Sequence, residues 1–532
     1  MEPFSQKRHT GATASRPADG GTEPHRPTTG GVRLPWRTFD ERWVAPTFVL
    51  VVLGYFSLQV LFRVLSSGNL GLDEAEQMVM AQSLEAGYGP QPPLYTWLVL
   101  ALRPLTGDGV LTLATVKFGL LALTLLATFR LCRQLFGEPL PAAVAALSIL
   151  YLPQVAWESQ RALTHSVIAL AAVALACTLF VDLVTKRRTR DYGLFAVALA
   201  ACALSKHNAV FLPLGLLAAG LLLPGTRPAL LDRRLLLALG LALLLMLPNL
   251  IWMAVNSEAV LARSGKFDLE QTTGPLESLR AFGRALLNFA LLPAILLPLL
   301  ALLPSKEVAP ARKIDAKVRQ LLTLGLGLAA LLVLSLVVAA SADTMKDRWL
   351  TPVLFPAVPV ALAWIATRLD RNRLRLAATA AVVIALGSMA VLWLRQFAPA
   401  DWARPPNMEA PFDSLAPSLP EAGLLLSSSN WVAGNLVLHR PGLAAVTPEY
   451  RAALDEPLVG PILLVWQAHE GERVPASLAA LASARRGNAL PGSLQVEVLE
   501  ALFPGAAPLS LRIVRLEAAA DMPKSLPSPY EL

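Results

Sequence analysis

Long apolar runs separated by short charged clusters dominate the first 396 residues of the chain. Most of these runs approach or exceed the roughly 20 residues that an α-helix needs to cross a bilayer. With 55% hydrophobic and only 16% charged residues, the chain is too apolar for a soluble protein of 532 residues. We therefore predict an α-helical, polytopic membrane protein. Its eleven predicted crossings lie at residues 44–65, 110–131, 140–157, 163–184, 192–205, 208–223, 235–256, 283–303, 321–341, 349–367 and 374–396.

The regions outside these runs predict two further domains. Residues 1–42 are polar and lack periodicity, which predicts a disordered cytoplasmic tail before the membrane domain at residues 43–396. After residue 396 the composition shifts, and short apolar runs such as Gly423–Ser428 predict strands beside a helix at Ala476–Arg485. Residues 397–532 therefore predict a small soluble α/β domain.

The distribution of basic residues predicts which side of the membrane each loop faces. The net charge of +8 lies in short clusters between apolar runs, which is typical of membrane orientation signals and excludes a nucleic-acid-binding stripe. If all eleven crossings exist, every cluster falls on one side, and the positive-inside rule makes that side the cytoplasm. The N-terminus is then cytoplasmic, whereas the loop 66–109 and everything after residue 396 lie on the outer, periplasmic face of the inner membrane.

The outer loop 66–109 carries two further elements. Residues 73–86 have a mixed helical spacing that predicts an interfacial helix, and residues 94–105 are apolar but too short to span.

One predicted break depends on a single lysine. Residues 192–223 could form one long helix, but Lys206 would then lie at its middle, where a lysine costs about 2.5–3.5 kcal/mol. Two short crossings avoid that cost and keep both flanking basic clusters cytoplasmic. We therefore expect Lys206 to line a polar cavity near the outer surface.

Three carboxylates in the outer loop are the first candidates for chemistry. Asp73, Glu74 and Glu76 follow the first apolar run directly. Acidic residues beside a membrane are costly and mark candidate sites, so one of the adjacent carboxylates Asp73 and Glu74 could be a general base while the other orients it or helps to bind a metal. The alternative is structural, because Asp73 could cap a helix that begins at Glu74. Local sequence leaves both readings open.

Several cations and one histidine fall at the predicted outer ends of the crossings. Lys206, Arg161 and Arg348 could bind an anionic lipid phosphate, although arginines at an interface also snorkel without binding a ligand. Glu158 and His165 could share a helical face with Arg161, so they are weak candidates for metal ligands. A hydrogen-bonded interfacial histidine is the alternative. The cysteines Cys132, Cys177 and Cys202 are predicted to be small buried hydrophobes.

These elements together resemble a known family. The acidic pair Asp73-Glu74, the segment Gly87–Trp97 with its Pro-Pro step, Lys206-His207-Asn208 and Arg348–Pro352 are similar to motifs of the bacterial dolichyl-phosphate-mannose protein mannosyltransferase superfamily. This superfamily is glycosyltransferase family 39 and its relatives, which include the aminoarabinose transferases that act on lipid A. The resemblance covers residues 44–396. It implies a GT-C fold, a polyprenyl-phosphate sugar donor, a base at Asp73 with Glu74 as its supporting acid, and donor-phosphate contacts at Lys206 and Arg348.

The chain departs from the family at three places. Many relatives have a basic residue where this chain has Gln91, and the lipid A branch often has one where this chain has Glu76. Many also have an aspartate where this chain has Thr164-His165, so metal dependence stays open. Together with Tyr95, Gln91 and Glu76 are predicted to form an acceptor or substrate loop. The departures suggest a donor or a phosphate site different from those of the lipid A enzymes.

We therefore predict a membrane glycosyltransferase that passes a sugar from a polyprenyl-phosphate carrier to a lipid, glycan or protein acceptor. The expected partners are the donor, the acceptor and membrane lipids, with no nucleic acid, and the cofactor is left open with a divalent metal as one option. A lipid or solute transporter is the main alternative, in which Asp73 and Lys206 would line a substrate or proton path. A non-catalytic membrane scaffold is the third reading.

Overall fold

A computed structural model describes residues 41–261, 274–304, 314–397, 410–451, 460–486, 488–491, 493–502 and 508–517. The predicted tail lies outside these residues except for its last two positions. We also predict from the sequence that the outer loop 257–282 could order over bound substrates, and residues 262–273 of this loop lie outside the described residues. Statements below concern the described residues.

The membrane part is helical throughout its described length. Its helices are α1 Val44–Ser66, α2 Leu72–Met80, α3 Leu94–Thr106, α4 Val110–Phe136, α5 Pro139–Leu147, α6 Ser159–Arg161, α7 Thr164–Lys186, α8 Thr189–Ser205, α9 Phe211–Leu222, α10 Arg227–Leu230, α11 Arg233–Val255, α12 Ser257–Leu261, α13 Pro275–Leu302, α14 Ala316–Ala339, α15 Thr351–Leu354, α16 Ala357–Ile365 and α17 Arg371–Phe397. Short 3-10 or π turns at Glu41–Trp43, Ser148–Tyr151, Gln154–Glu158, His207–Val210, Asp347–Trp349 and Ala366–Arg368 join or extend them.

Eight helices in the described residues are long and apolar enough to cross a membrane, and they coincide with eight of the eleven predicted crossings. The predicted crossing 140–157 is instead a bent pair, Pro139–Tyr151 and Gln154–Arg161, whose axes differ by 81°. The bend lies at Pro153, which has no N–H to continue a helix. The remaining two are the short helices α8 and α9. The multi-pass helical fold is confirmed, while the number of crossings stays a prediction.

The predicted break at Lys206 is present. α8 ends at Ser205 because Lys206 has an extended backbone (φ −164°, ψ 137°), and a 3-10 turn then leads into α9. α9 packs closely on α14, since a Cβ on Gly215 would lie 2.3 Å from the Gly325 carbonyl oxygen. Small residues permit this approach of two helix backbones in a membrane.

The described residues from 410 onwards form a five-stranded sheet with the strand order β2-β1-β3-β5-β4. The pairs β2–β1 and β1–β3 are parallel, whereas the pairs β3–β5 and β5–β4 are antiparallel. The predicted strands and the helix at residues 476–485 are confirmed, and the sheet adds strands that the sequence did not predict. The strands are β1 Gly423–Ser427, β2 Leu443–Val446, β3 Ile462–Gln467, β4 Glu497–Ala501 and β5 Leu509–Leu516, and the helices are Phe412–Leu415, Asn430–His439 and Ala476–Arg486.

The helix Asn430–His439, which we call the docking helix, lies on α2. The interfacial helix predicted at residues 73–86 is therefore wrong in both length and surroundings. α2 ends at Met80, and the four residues Glu74 to Gln77 are all buried. The physical reason is close packing, because a Cβ on Gly434 of the docking helix would lie 2.2 Å from the Ala75 carbonyl oxygen.

Hydrogen bonds join the docking helix to the segment before α2. The Leu70 N–H donates to Asn435 Oδ1 at 2.7 Å, and both Asn435 and Trp431 donate to the Leu70 carbonyl oxygen at 3.2 Å. The start of α2 is thus held by the sheet domain as well as by the membrane helices.

We expect Gly434→Ala to lower stability, because the new methyl group would overlap backbone atoms of α2 and overpacking typically costs about 1–3 kcal/mol. The measurement is the Tm of the purified protein in detergent. Gly387→Ala is the matched control, since a Cβ there meets nothing within 4 Å and the residue lies inside α17. Equal Tm values for Gly434→Ala and wild type would contradict the close contact.

Candidate active site

Arg63 and Glu74 form a buried ion pair where α1 leads into α2. Arg63 Nε donates to Glu74 Oε1 at 3.0 Å, and Arg63 Nη2 donates to Oε2 at 2.6 Å. The Gly71 N–H also donates to Oε2, at 3.1 Å, which closes the first turn of α2. The remaining Arg63 donors bind the carbonyl oxygens of Ser67 and Asn69. The whole loop between the two helices is therefore arranged around one guanidinium.

The environment of Glu74 keeps it ionised. Burial alone would raise the pKa of this carboxyl, but the Arg63 guanidinium, the Lys117 charge and the Gly71 N–H together lower it to about 2. A carboxylate held in this way cannot accept a proton near neutral pH. The geometry thus gives Glu74, predicted as a supporting acid, the task of fixing α2.

Asp73 lies beside Glu74 but faces a different neighbour. Its Oδ2 accepts a hydrogen bond from the Leu163 N–H at 2.6 Å, and no other hydrogen bond to this carboxylate occurs in the described residues. Leu163 has a left-handed backbone (φ 70°, ψ 50°) immediately before α7. Such a conformation is uncommon for a non-glycine residue and costs on the order of 1–3 kcal/mol. The Asp73 carboxylate is thus oriented by a strained turn through its Oδ2 atom.

The larger of two cavities at Asp73, which we call the first cavity, has a volume of about 680 Å³. Its polar end carries Asp73, Lys206 and Arg348. Its apolar wall consists of side chains from α14 and the start of α9: Phe211, Val333, Leu336 and Val337. A cavity with a cationic end and a long apolar wall suits an amphiphile with an anionic headgroup.

The second cavity, of about 340 Å³, lies on the α1, α4 and α17 side of Asp73. Its lining includes Lys117, Arg161 and Arg395. Asp73 and Arg348 line both cavities, as do Leu163 and Thr164. Asp73 therefore lies where two separate binding spaces meet.

The three predicted phosphate ligands do not lie together. Lys206 lines only the first cavity, where its Nζ donates to Ser166 Oγ at 2.7 Å. Arg161 lines only the second cavity, and Arg348 lines both. The Arg348 segment is anchored to the Lys206 turn, because Asn208 Nδ2 donates to the Trp349 carbonyl oxygen at 2.6 Å.

The predicted substrate-loop residues also separate. Gln91 and Glu76 line the first cavity, and Glu76 Oε1 accepts a 2.5 Å hydrogen bond from the Tyr450 hydroxyl of the sheet domain. Tyr95 is fully buried in α3 with its ring centroid 6.0 Å from that of His165, and it lines neither cavity.

His165 and Glu158, the predicted metal candidates, lie apart. His165 lines the first cavity and its Nε2 lies 3.1 Å from Gln77 Nε2, whereas Glu158 lines the second cavity. In the part of the chain that the structure describes, no three His, Cys, Asp or Glu side chains form a group that could hold a metal ion.

Sequence reasoning missed two charged residues in this region. Arg63 and Lys117 lie inside apolar runs that the sequence analysis treated as uniform crossings. A cation inside an apolar run is costly at all three positions, so Arg63 and Lys117 could have been predicted from the sequence on the same grounds as Lys206.

Several known proteins are similar to this chain in sequence. Residues 90–252 match the family described as dolichyl-phosphate-mannose-protein mannosyltransferase. The lipopolysaccharide core galacturonosyltransferase RgtB of Rhizobium johnstonii is 29% identical over 86% of this chain and 94% of its own length. RgtA of the same organism, with the same description, is 28% identical over 79% of this chain and 86% of its own length.

A solved structure shares the fold. ArnT from Cupriavidus metallidurans in the apo state superposes with a TM-score of 0.58 at 15% identity, covering 89% of this chain and 98% of ArnT. The same protein bound to undecaprenyl phosphate gives a TM-score of 0.55 at 14% identity, with the same coverage.

These relatives and the described helical fold support a membrane glycosyltransferase, the class predicted from the sequence. The chain is similar to the dolichyl-phosphate-mannose-protein mannosyltransferase family over residues 90–252, and it shares the fold of ArnT. The family resemblance predicted from the sequence is confirmed.

We expect Glu74→Gln to lower stability by about 3–5 kcal/mol at neutral pH, because it leaves the buried Arg63 guanidinium without its counter-charge. The pKa of Glu74 is lower in the folded protein than in the unfolded chain, so the stabilisation is complete above about pH 4.5 and is lost as the pH falls towards 2. The measurement is the Tm of wild type and variant between pH 3 and pH 8.

The difference in Tm between wild type and Glu74→Gln should stay constant above about pH 5 and shrink at lower pH. The double variant Arg63→Met with Glu74→Met is the control, because replacing both partners removes the unpaired charge and should recover much of the loss. A constant difference down to pH 3 would contradict the ion-pair assignment.

Proposed function

We propose that the protein transfers a sugar from a polyprenyl-phosphate carrier to a lipopolysaccharide core acceptor on the periplasmic side of the inner membrane. The observation that carries the proposal is the position of Asp73 at the meeting point of two cavities, one of which combines a cationic end with an apolar wall. The bound undecaprenyl phosphate of ArnT, which shares the fold, supports a carrier of this chemical class.

The first cavity would hold the donor. Lys206 and Arg348 at its polar end would bind the phosphate, and the α14 side chains would contact the first isoprene units of the carrier. Lysine and arginine near a developing negative charge stabilise the transition state most strongly where water is excluded. The Ser166 hydroxyl holds the Lys206 ammonium in the cavity before the donor binds.

Asp73 would act as the general base. The acceptor hydroxyl loses its proton to the Asp73 carboxylate while its oxygen forms a bond to C1 of the sugar. The bond between C1 and the phosphate oxygen breaks, and polyprenyl phosphate leaves with that electron pair. A carboxylate within hydrogen-bond reach of both substrates can perform this step without a cofactor, since the carrier phosphate already activates the sugar.

The named relatives favour a particular sugar and acceptor. RgtB and RgtA are described as lipopolysaccharide core galacturonosyltransferases, and each aligns with more than three quarters of this chain. We therefore propose galacturonic acid as the transferred sugar. A panel of polyprenyl-phosphate sugars, scored by release of polyprenyl phosphate, tests this choice against neutral and amino sugars.

The periplasmic placement is supported by the charge pattern of the sequence. With eleven crossings, the basic clusters at the ends of alternate crossings would face the cytoplasm, which supports an outer position for the Asp73 loop. A lipid-linked donor also needs no nucleotide, which suits a reaction outside the cytoplasm.

Asp73→Asn should abolish transfer, lowering kcat by at least about 100-fold, because the amide cannot take the acceptor proton. Folding should be unchanged, since the side-chain carbonyl oxygen of the introduced asparagine can still accept the hydrogen bond from Leu163. The measurement is sugar transfer together with the Tm in detergent. Asp413→Asn, at an exposed position in the sheet domain, is the matched control. Near wild-type turnover by the Asp73 variant would show that another group is the base.

Lys206→Met should raise the donor KM by about 10- to 100-fold, because a hydrogen bond to a charged group contributes about 1.5–3 kcal/mol. Initial rates at varied donor concentration give this value. Lys317→Met is the matched control, since Lys317 is exposed at the start of α14 and lines neither cavity. An unchanged donor KM in the Lys206 variant would contradict the assignment of the first cavity to the donor.

A further inference from the structure

The second cavity has an excess of positive charge. Five of its lining residues are cationic, namely Arg63, Lys117, Arg161, Arg348 and Arg395, against the three carboxylates Asp73, Glu74 and Glu158. Glu74 is fully engaged by Arg63 and Gly71. The pairing inside the cavity therefore leaves several cations available to a ligand.

Lys117 is the most informative of these cations. It lies two turns into the membrane-spanning helix α4 and is only 3% exposed, yet its ammonium donates no hydrogen bond within the described residues. Its Nζ lies 5.8 Å from the centroid of the neighbouring Phe118 ring. A buried lysine in a spanning helix is costly and marks a functional site.

Arg161 and Arg395 add two further positive charges to this cavity. The Arg161 side chain is exposed and makes no hydrogen bond or ion pair within the described residues. Arg395 lies over the Trp157 ring at 6.0 Å, and its Nε has no hydrogen-bond partner among the described residues. Phe62 and Trp393, whose rings contact each other, also line this cavity. Lysine and arginine side chains bind carboxylates and phosphates through charge-assisted hydrogen bonds, so these cations suit an anionic ligand better than a purely apolar one.

The position of the cavity relative to Asp73 indicates which substrate it binds. In a displacement at C1, the attacking hydroxyl approaches from the side opposite the leaving phosphate. If the donor phosphate lies between Lys206 and Arg348 in the first cavity, the acceptor hydroxyl must reach Asp73 from the second. The cations of the second cavity would then bind an anionic group of the acceptor.

We propose that the second cavity is the acceptor site and that Lys117 and Arg161 bind an anionic group of the acceptor glycolipid, a phosphate monoester or a sugar carboxylate. The proposal rests on the glycosyl transfer proposed above. The protein would therefore select acceptors by their negative charge, with the anion held on the far side of Asp73 from the carrier phosphate.

The test is a steady-state comparison of Lys117→Met and Arg161→Gln with wild type, using a polyprenyl-phosphate sugar and a purified lipopolysaccharide core glycolipid. Each variant should raise the acceptor KM by about 10-fold or more while the donor KM changes by less than about twofold. Lys206→Met should show the opposite pattern, in which the donor KM rises and the acceptor KM changes little. Lys317→Met controls for the loss of a lysine charge outside both cavities.

Three acceptor preparations identify the anion. These are the native core glycolipid, the same material after phosphatase treatment, and the same material with its sugar carboxylates reduced. If Lys117 contacts one group, removal of that group should raise the wild-type acceptor KM, and Lys117→Met should add little to that increase. Equal sensitivity of wild type and variant to every modification would show that the lysine does not contact the anion.

The outcomes separate the two proposals. Absence of transfer by wild type with every donor and acceptor would overturn the glycosyl transfer itself. Transfer by wild type together with unchanged acceptor KM values in both variants would overturn only the acceptor site. Arg161→Gln decides alone if Lys117→Met fails to fold, because Arg161 is exposed and makes no internal hydrogen bond or ion pair within the described residues.

Discussion

The bidentate ion pair between Arg63 and Glu74 is the constraint on which the site depends. Both side chains are buried, and an unpaired charge in either position would cost several kcal/mol. Because the pair is complete, it fixes the last turn of α1 to the first turn of α2. Asp73 is adjacent to Glu74 in α2, so the same pair sets the direction of the Asp73 carboxylate. Two acidic neighbours thus have different tasks, one in holding the helix and one in facing the cavities.

A second set of contacts restrains α2 from the other side. The docking helix, the Asn435 amide and the Tyr450 hydroxyl all reach α2 or the residues just before it from the sheet domain. In the proposed reaction, the sheet domain therefore acts as a positioning element for Asp73 and Glu76. The docking helix also contributes to the burial of α2, because Gly434 packs directly on the Ala75 backbone.

Much of the fold could be predicted from the sequence, because long apolar runs and their basic flanks follow from the cost of transferring charge into a bilayer. The break at Lys206 followed from the same energetics. Arg63 and Lys117 were missed because each was averaged into an apolar run. The contacts of Gly434 with Ala75 and of Tyr450 with Glu76 could not be predicted, since they join residues more than 350 positions apart and leave no local periodicity.

The division of the site into two cavities was also beyond local sequence. In the sequence, Lys206, Arg348 and Arg161 appeared equivalent as cations at the outer ends of crossings. In the structure, the bent helix pair that ends at Arg161 packs so that Arg161 and Lys206 line different cavities. This separation is the basis of the proposed arrangement, in which a carrier phosphate and an acceptor anion approach Asp73 from different sides.

The most direct test of the assignment of the two cavities is a cryo-EM structure of the full chain in a lipid nanodisc with a polyprenyl phosphate bound. The account predicts the phosphate within hydrogen-bond distance of Lys206 and Arg348, with the isoprene chain along α14. A phosphate bound instead at Lys117 and Arg161 would contradict the assignment of the two cavities and with it the proposed direction of transfer.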